Sequence, residues 1–195
     1  MNSNRPLVAG FGGTVNTAGY AASLRALGGI LAESGGYLEV FGPLTKEDAA
    51  RAGLAEPGVR LNGLVKAEEF VPLLRERVDL LFAPMSFAPE DADNMKLSFP
   101  SKLTDYSACG LPILIYGPEY ASAVQWARAN PGVAYVVTDD AGPALREAVM
   151  ALQTVPALRF GLASKAIESG ARMFSAEAAE RTFLDALCRL PPGTD

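Results

Sequence analysis

Two nearly unbroken apolar runs, residues 78–83 (VDLLFA) and 112–115 (PILI), limit the folds open to this chain more than any other feature. A strand with one face in water alternates apolar and polar residues. A continuously apolar strand is covered on both faces, as in a parallel sheet between layers of helices. Shorter β-type runs at 7–10, 37–41, 59–61 and 133–137 bring the expected strands to about six. Between them the spacing turns helical. Tyr20, Leu24, Leu27 and Leu31 share one helix face, with Asn16 or Thr17 as its cap and Gly35-Gly36 as its end. Phe70, Leu73 and Leu74 mark another helix, and Leu145, Val149 and Leu152 a third. Two more are expected near 157–170 and 175–190, the last with Ala179, Phe183, Ala186 and Leu190 on one side. Strand–helix–strand repetition predicts one Rossmann-like, doubly wound parallel sheet with helices on both faces, and a ligand crevice at the carboxyl ends of the strands.

Composition agrees with one sizeable core. The chain has 195 residues, 49% of them hydrophobic and 20% charged, enough to bury a core without disulfides or metals. Residues 1–190 are expected to form a single domain and 191–195 a loose tail. The net charge of −5 gives no bulk attraction for nucleic acid. Cys109 and Cys188 have no metal-ligand spacing, and the opening MNSNRPLVAG is unlike a secretory signal, so a reducing, cytoplasmic setting is expected. No apolar stretch is long enough to span a bilayer. Histidine is absent, so any catalysis would rely on carboxylates, lysine or an outside group.

Three loops fall where the crevice should be. The first is Gly10-Phe11-Gly12-Gly13-Thr14, whose glycines let backbone amides approach a phosphate. A dinucleotide fingerprint wants a further glycine where Val15 stands, although Glu39 near the end of the second strand would suit a ribose. The alternative for this loop is a plain strand-to-helix turn with no ligand. The second loop starts a helix just after Pro100, where free amides of Ser101, Lys102 and Leu103 and the Lys102 charge would hold a phosphate. Asp105, one turn after Ser101, would reach ribose hydroxyls, or else simply stabilise the helix start. The third comprises Asn62 to Lys66, with Leu64 and Val65, together with Pro84-Met85-Ser86, as walls for a base. The Asp91-Ala92-Asp93 triplet reads as a solvated acidic loop, not a metal site, and Lys96 behind it is an alternative group to face a diphosphate.

The segment FPSKLTDYSACGLPILIYGPE resembles the carboxyl-terminal, donor-binding domain of GT-B glycosyltransferases, especially family four. VRLNGLVKAEEFVPLLRERVDLLFAPMSF and FSAEAAERTFLDAL extend the resemblance along nearly the whole chain. It implies that Ser101, Lys102 and Leu103 cradle the diphosphate, with Gly12 and Gly13 near the same phosphates. Leu64 and Val65 lie beside the base. Asp105 matches the second acid of a Glu-x7-Glu motif that binds the ribose, while the first acid would fall at Leu97. It also implies a nucleotide diphosphate sugar donor of UDP or GDP type, no bound metal or cofactor, and a role in polysaccharide biosynthesis. The acceptor domain is expected to be missing, supplied in cis or by a separate chain. The complete hexosyltransferase-type enzyme would be membrane-peripheral at most, and the isolated chain would bind donor without turnover. A dinucleotide-dependent oxidoreductase and a non-catalytic interaction domain are the competing expectations, the latter predicting an exposed apolar face.

Overall fold

The computed structural model describes residues 5–54 and 57–188. Its strands are β1 (Val8–Gly12), β2 (Tyr37–Phe41), β3 (Val59–Gly63), β4 (Leu80–Pro84), β5 (Ile113–Tyr116) and β6 (Tyr135–Val137). They form one parallel sheet in the order β3-β2-β1-β4-β5-β6. The chain order reverses between β1 and β4, which opens a crevice beyond their carboxyl ends. The helices are α1 (Ala18–Glu33), α2 (Lys46–Arg51), α3 (Ala67–Arg77), α4 (Ala92–Leu97), α5 (Lys102–Ala108), α6 (Ser122–Ala129), α7 (Gly142–Thr154), α8 (Pro156–Met173) and α9 (Ala176–Cys188). A 3-10 turn, Pro89–Asp91, precedes α4, so the Asp91-Ala92-Asp93 triplet, expected in a loop, lies in a turn and the start of a helix.

Each face of the sheet has its own core. On one, Leu24, Leu27 and Leu31 of α1 and Leu145, Val149 and Leu152 of α7 meet Ala9, Phe11, Leu80 and Phe82. On the other, Leu74, Leu103, Tyr106 and Val124 cover Val8, Leu81, Ala83, Ile113 and Ile115. The apolar runs therefore sit in the middle of the sheet, buried from both sides. β1 continues past Gly10 because the chain stays in parallel register with β2 as far as Gly12↔Phe41. The expected glycine loop thus starts later, and Gly10 and Phe11 belong to the strand. Thr17 caps α1 by accepting the Tyr20 N–H at 3.2 Å.

The last helix departs from expectation. Ala178 of α9 is buried, whereas Phe183 is 63% exposed and Leu184 and Leu187 are half exposed. Its apolar side is not folded into the core; Leu190 and the expected tail lie outside the described residues. No helix among those residues is long and apolar enough to cross a membrane.

Two adjacent glycines in α1 test how closely it packs. A Cβ on Gly28 would lie 2.8 Å from the Gly58 carbonyl oxygen and 2.7 Å from a Val59 methyl, while one on Gly29 would meet nothing within 4 Å among the described residues. Gly28→Ala should destabilise the fold by about 1–3 kcal/mol despite better helix propensity. Gly29→Ala should stabilise it by about 0.5–1 kcal/mol. Chemical denaturation of both variants checks the pair.

Candidate functional site

The carboxyl ends of β1, β2 and β3 are stacked through glycines. Gly13 donates to the Phe41 carbonyl at 2.9 Å, and Gly42 donates to the Gly63 carbonyl at 2.8 Å. A Cβ on Gly42 would sit 2.2 Å from the Gly13 carbonyl oxygen, so the turns approach too closely for a side chain there. Gly13 itself has φ +140°, a conformation open to glycine and strained for other residues. Gly12 has no room either, since the Phe70 ring lies 2.2 Å from where its Cβ would be.

Above these turns lies an open cleft of about 470 Å³. Gly12, Gly13 and Thr14 form one side, Ser101, Lys102 and Asp105 of the α5 start another, and Leu64, Val65, Ala67 and Phe70 a third. Phe41, Gly42 and Pro43 close the floor. Eight of the ten residues expected from the sequence thus line one cavity. Leu64 is 79% exposed at its rim, while Val65 and Phe70 lean on the core. Phe70 also meets the Phe41 ring edge-on at a centroid distance of 6.0 Å.

The other two expected residues are elsewhere. Met85 is buried, because its N–H continues the sheet by donating to the Tyr116 carbonyl at 2.7 Å. Leu103 points into the core below the cleft, and its N–H donates to the Pro100 carbonyl at 3.0 Å, so it is not a free amide. The expectation for the glycine turn also needs correction. The Gly12 and Gly13 amides are both held within the protein, leaving Thr14 as the next amide toward the cleft. Lys96 does not line the cleft; it pairs with Asp93 at 3.7 Å. Leu97, where the first acid of the motif would fall, is 86% exposed and is also outside the lining. Glu39 is mid-strand, 1% exposed and paired with Arg77 at 2.5 Å, so its carboxylate is not offered to a ribose.

Lys102 is the main charge in the cleft. Its ammonium lies 4.3 Å from the centre of the Phe11 ring and 5.5 Å from that of Tyr20. A Cβ on Gly13 would be 3.5 Å from its Nζ, so the lysine spans from α5 to the glycine turn. Among the described residues no carboxylate comes within ion-pair distance of it. Removal from water without a partner disfavours the charged form, and the Lys102 pKa falls from 10.5 to about 8. Asp105, one turn further, is exposed on the same rim.

Sequence reasoning missed Tyr106. Its hydroxyl accepts the Gly12 N–H at 2.8 Å and donates to the Phe82 carbonyl at 3.2 Å. Burial pushes the phenol pKa well above its usual range, so it remains a proton donor. It also missed Phe41, Gly42 and Pro43, although a Gly-Pro pair directly after a strand signals a turn at the sheet's active edge.

No protein-family model and no curated protein matches the sequence. Solved structures do match the fold. Anabaena Alr3699/HepE in complex with UDP and glucose superposes with a TM-score of 0.69 at 17% identity, over 94% of this chain and 48% of that one. A UDP-forming trehalose-phosphate synthase from Burkholderia xenovorans gives 0.67 at 14% identity, over 98% and 46%. TarM gives 0.64 at 12% identity, over 92% and 34%. These are GT-B glycosyltransferases, and the chain has the fold of one Rossmann-like half of them. It spans about half the length of the first of these neighbours, and a third of TarM.

Holding Lys102 in the folded cleft should cost stability at every pH where the unfolded chain protonates it. Its folded pKa lies below the ordinary value, so the cost is full below pH 8 and fades as pH rises toward 10.5. Lys102→Met, which keeps the apolar stem, should therefore stabilise the chain at neutral pH by about 1–3 kcal/mol. The gain should shrink across that window in denaturation series at stepped pH.

Proposed function

We propose that the chain is the donor-binding half of a GT-B glycosyltransferase, resembling family four, and that its cleft holds a nucleoside diphosphate sugar. The observation that carries this reading is the unpaired, half-buried Lys102 ammonium facing the glycine turn across the cleft. A diphosphate supplies the missing negative charge. The open amides at the α5 start and the Thr14 amide complete its hydrogen bonds. Asp105 takes ribose hydroxyls at the rim, and the base lies against Leu64, Val65 and Phe70. The binding of UDP and glucose by HepE, and the UDP-forming reaction of the synthase, favour uridine as the base.

In a transfer reaction the bond from the anomeric carbon to the diphosphate breaks, and negative charge grows on the leaving phosphate oxygen. Lys102 and fixed backbone amides stabilise that charge without moving. The hydroxyl of the acceptor, a glycan or lipid, must be held at the anomeric carbon, where its oxygen forms the new bond as its proton passes to the leaving diphosphate or to a base, and water must be excluded. Those tasks fall to a second domain, in cis or in trans, which would also cover exposed apolar residues such as those of α9. The isolated chain is thus proposed to bind donor without turning it over.

Calorimetric titration of the chain with UDP, UDP-glucose, GDP and ADP tests this. UDP or UDP-glucose should bind with a Kd of about 1 mM or tighter. Lys102→Met should weaken that binding by about tenfold or more, since it removes a charge-assisted contact. Absence of binding by all four ligands at millimolar concentration contradicts the reading.

A further inference from the structure

We propose that Tyr106 is a positioning residue that decides which backbone amide of the glycine turn meets the phosphates of a bound ligand. The inference rests on the donor-binding reading above and deepens it. Three successive amides leave the end of β1. The Gly12 N–H is taken by the Tyr106 hydroxyl at 2.8 Å, and the Gly13 N–H by the Phe41 carbonyl at 2.9 Å. Thr14 lines the cleft, and its amide has no acceptor among the described residues. The turn therefore offers Thr14 to a ligand and withholds both glycines.

The phenol is suited to this because it acts at two points at once. It accepts from Gly12 and donates to the Phe82 carbonyl, so it fixes the end of β1 relative to its sheet neighbour β4. It also lies one helical turn after Lys102 on α5. The contact that anchors the helix to the turn thereby sets the distance between the lysine ammonium and Gly13. Without the hydroxyl, Gly12 would keep a buried N–H with no partner, which is costly. Flanking glycines have the freedom to turn that N–H toward the cleft instead. Tyr106 touches no ligand itself; it acts through Gly12, Gly13 and Lys102.

The test follows the amide signals of Gly12, Gly13 and Thr14 by NMR during titration with UDP, and separately with inorganic pyrophosphate. In the unaltered chain the Thr14 amide should move and the Gly12 amide should stay. In Tyr106→Phe, UDP affinity should fall by about tenfold, and the Gly12 amide should begin to respond. A general loss of stability would not produce that new response. Unchanged affinity with the same responding amides overturns the proposal. So does movement of Gly12 in place of Thr14 in the unaltered chain, a result that stands even if the variant fails to fold. If neither ligand moves any of the three signals, the donor-binding reading fails. The Tyr106–Gly12 contact is then judged on the free protein, and the proposal is overturned if Tyr106→Phe leaves Gly12 hydrogen exchange unchanged relative to Leu81.

Discussion

One buried hydroxyl holds the crevice together. The sheet reverses its order between β1 and β4, and this is where a doubly wound fold opens toward ligands. An opening there is also a weak point, since β1 and β4 pair with each other only at Ala9↔Leu80 and Gly10↔Leu81. Tyr106 closes it by joining Gly12 of β1 to Phe82 of β4 from a third element, α5. The glycine stack of Gly13, Gly42 and Gly63 then rests on a fixed edge, and the α5 start is brought to the same place. The cleft is therefore a consequence of packing, not of loops that happen to meet.

Within that frame the protein treats its charges in two ways. Glu39 is buried and paired through Oε1 with Arg77, while its Oε2 is buried with no partner among the described residues. Lys102 is partly buried over an aromatic ring and is not answered by any described carboxylate. An unpaired ammonium removed from water lowers the stability of the free chain. Its position is explained if an anion binds against it, because the same desolvation that destabilises the empty site strengthens the contact with a phosphate. Stability and binding are thus opposed at this residue, as is common where a site is shaped for a partner.

Much of this was legible in the sequence, for identifiable reasons. Continuous apolar runs such as VDLLFA have few homes other than the middle of a covered parallel sheet, and β4 and β5 are found there. The PSKLTD segment marks a helix start through residue types that act locally, and Ser101, Lys102 and Asp105 reach the cleft as expected. What was hidden depends on distant contacts. The two partners of the Tyr106 hydroxyl lie 94 and 24 positions away and are backbone atoms, which leave no mark on residue choice. The extension of β1 to Gly12 and the burial of Met85 likewise come from pairing across the sheet. The exposed side of α9 was unreadable for a different reason: amphipathic spacing announces a buried face without saying what covers it.

In the donor-binding reading Lys102, desolvated and unpaired among the described residues, receives its counter-charge from an anion. The most direct measurement is its own titration, followed through the Lys102 side-chain carbon signal by NMR, with and without saturating UDP. A midpoint near pH 8 is expected in the free protein, with a clear upward shift when UDP is bound. A midpoint at the ordinary lysine value of 10.5 that UDP does not move would contradict that reading.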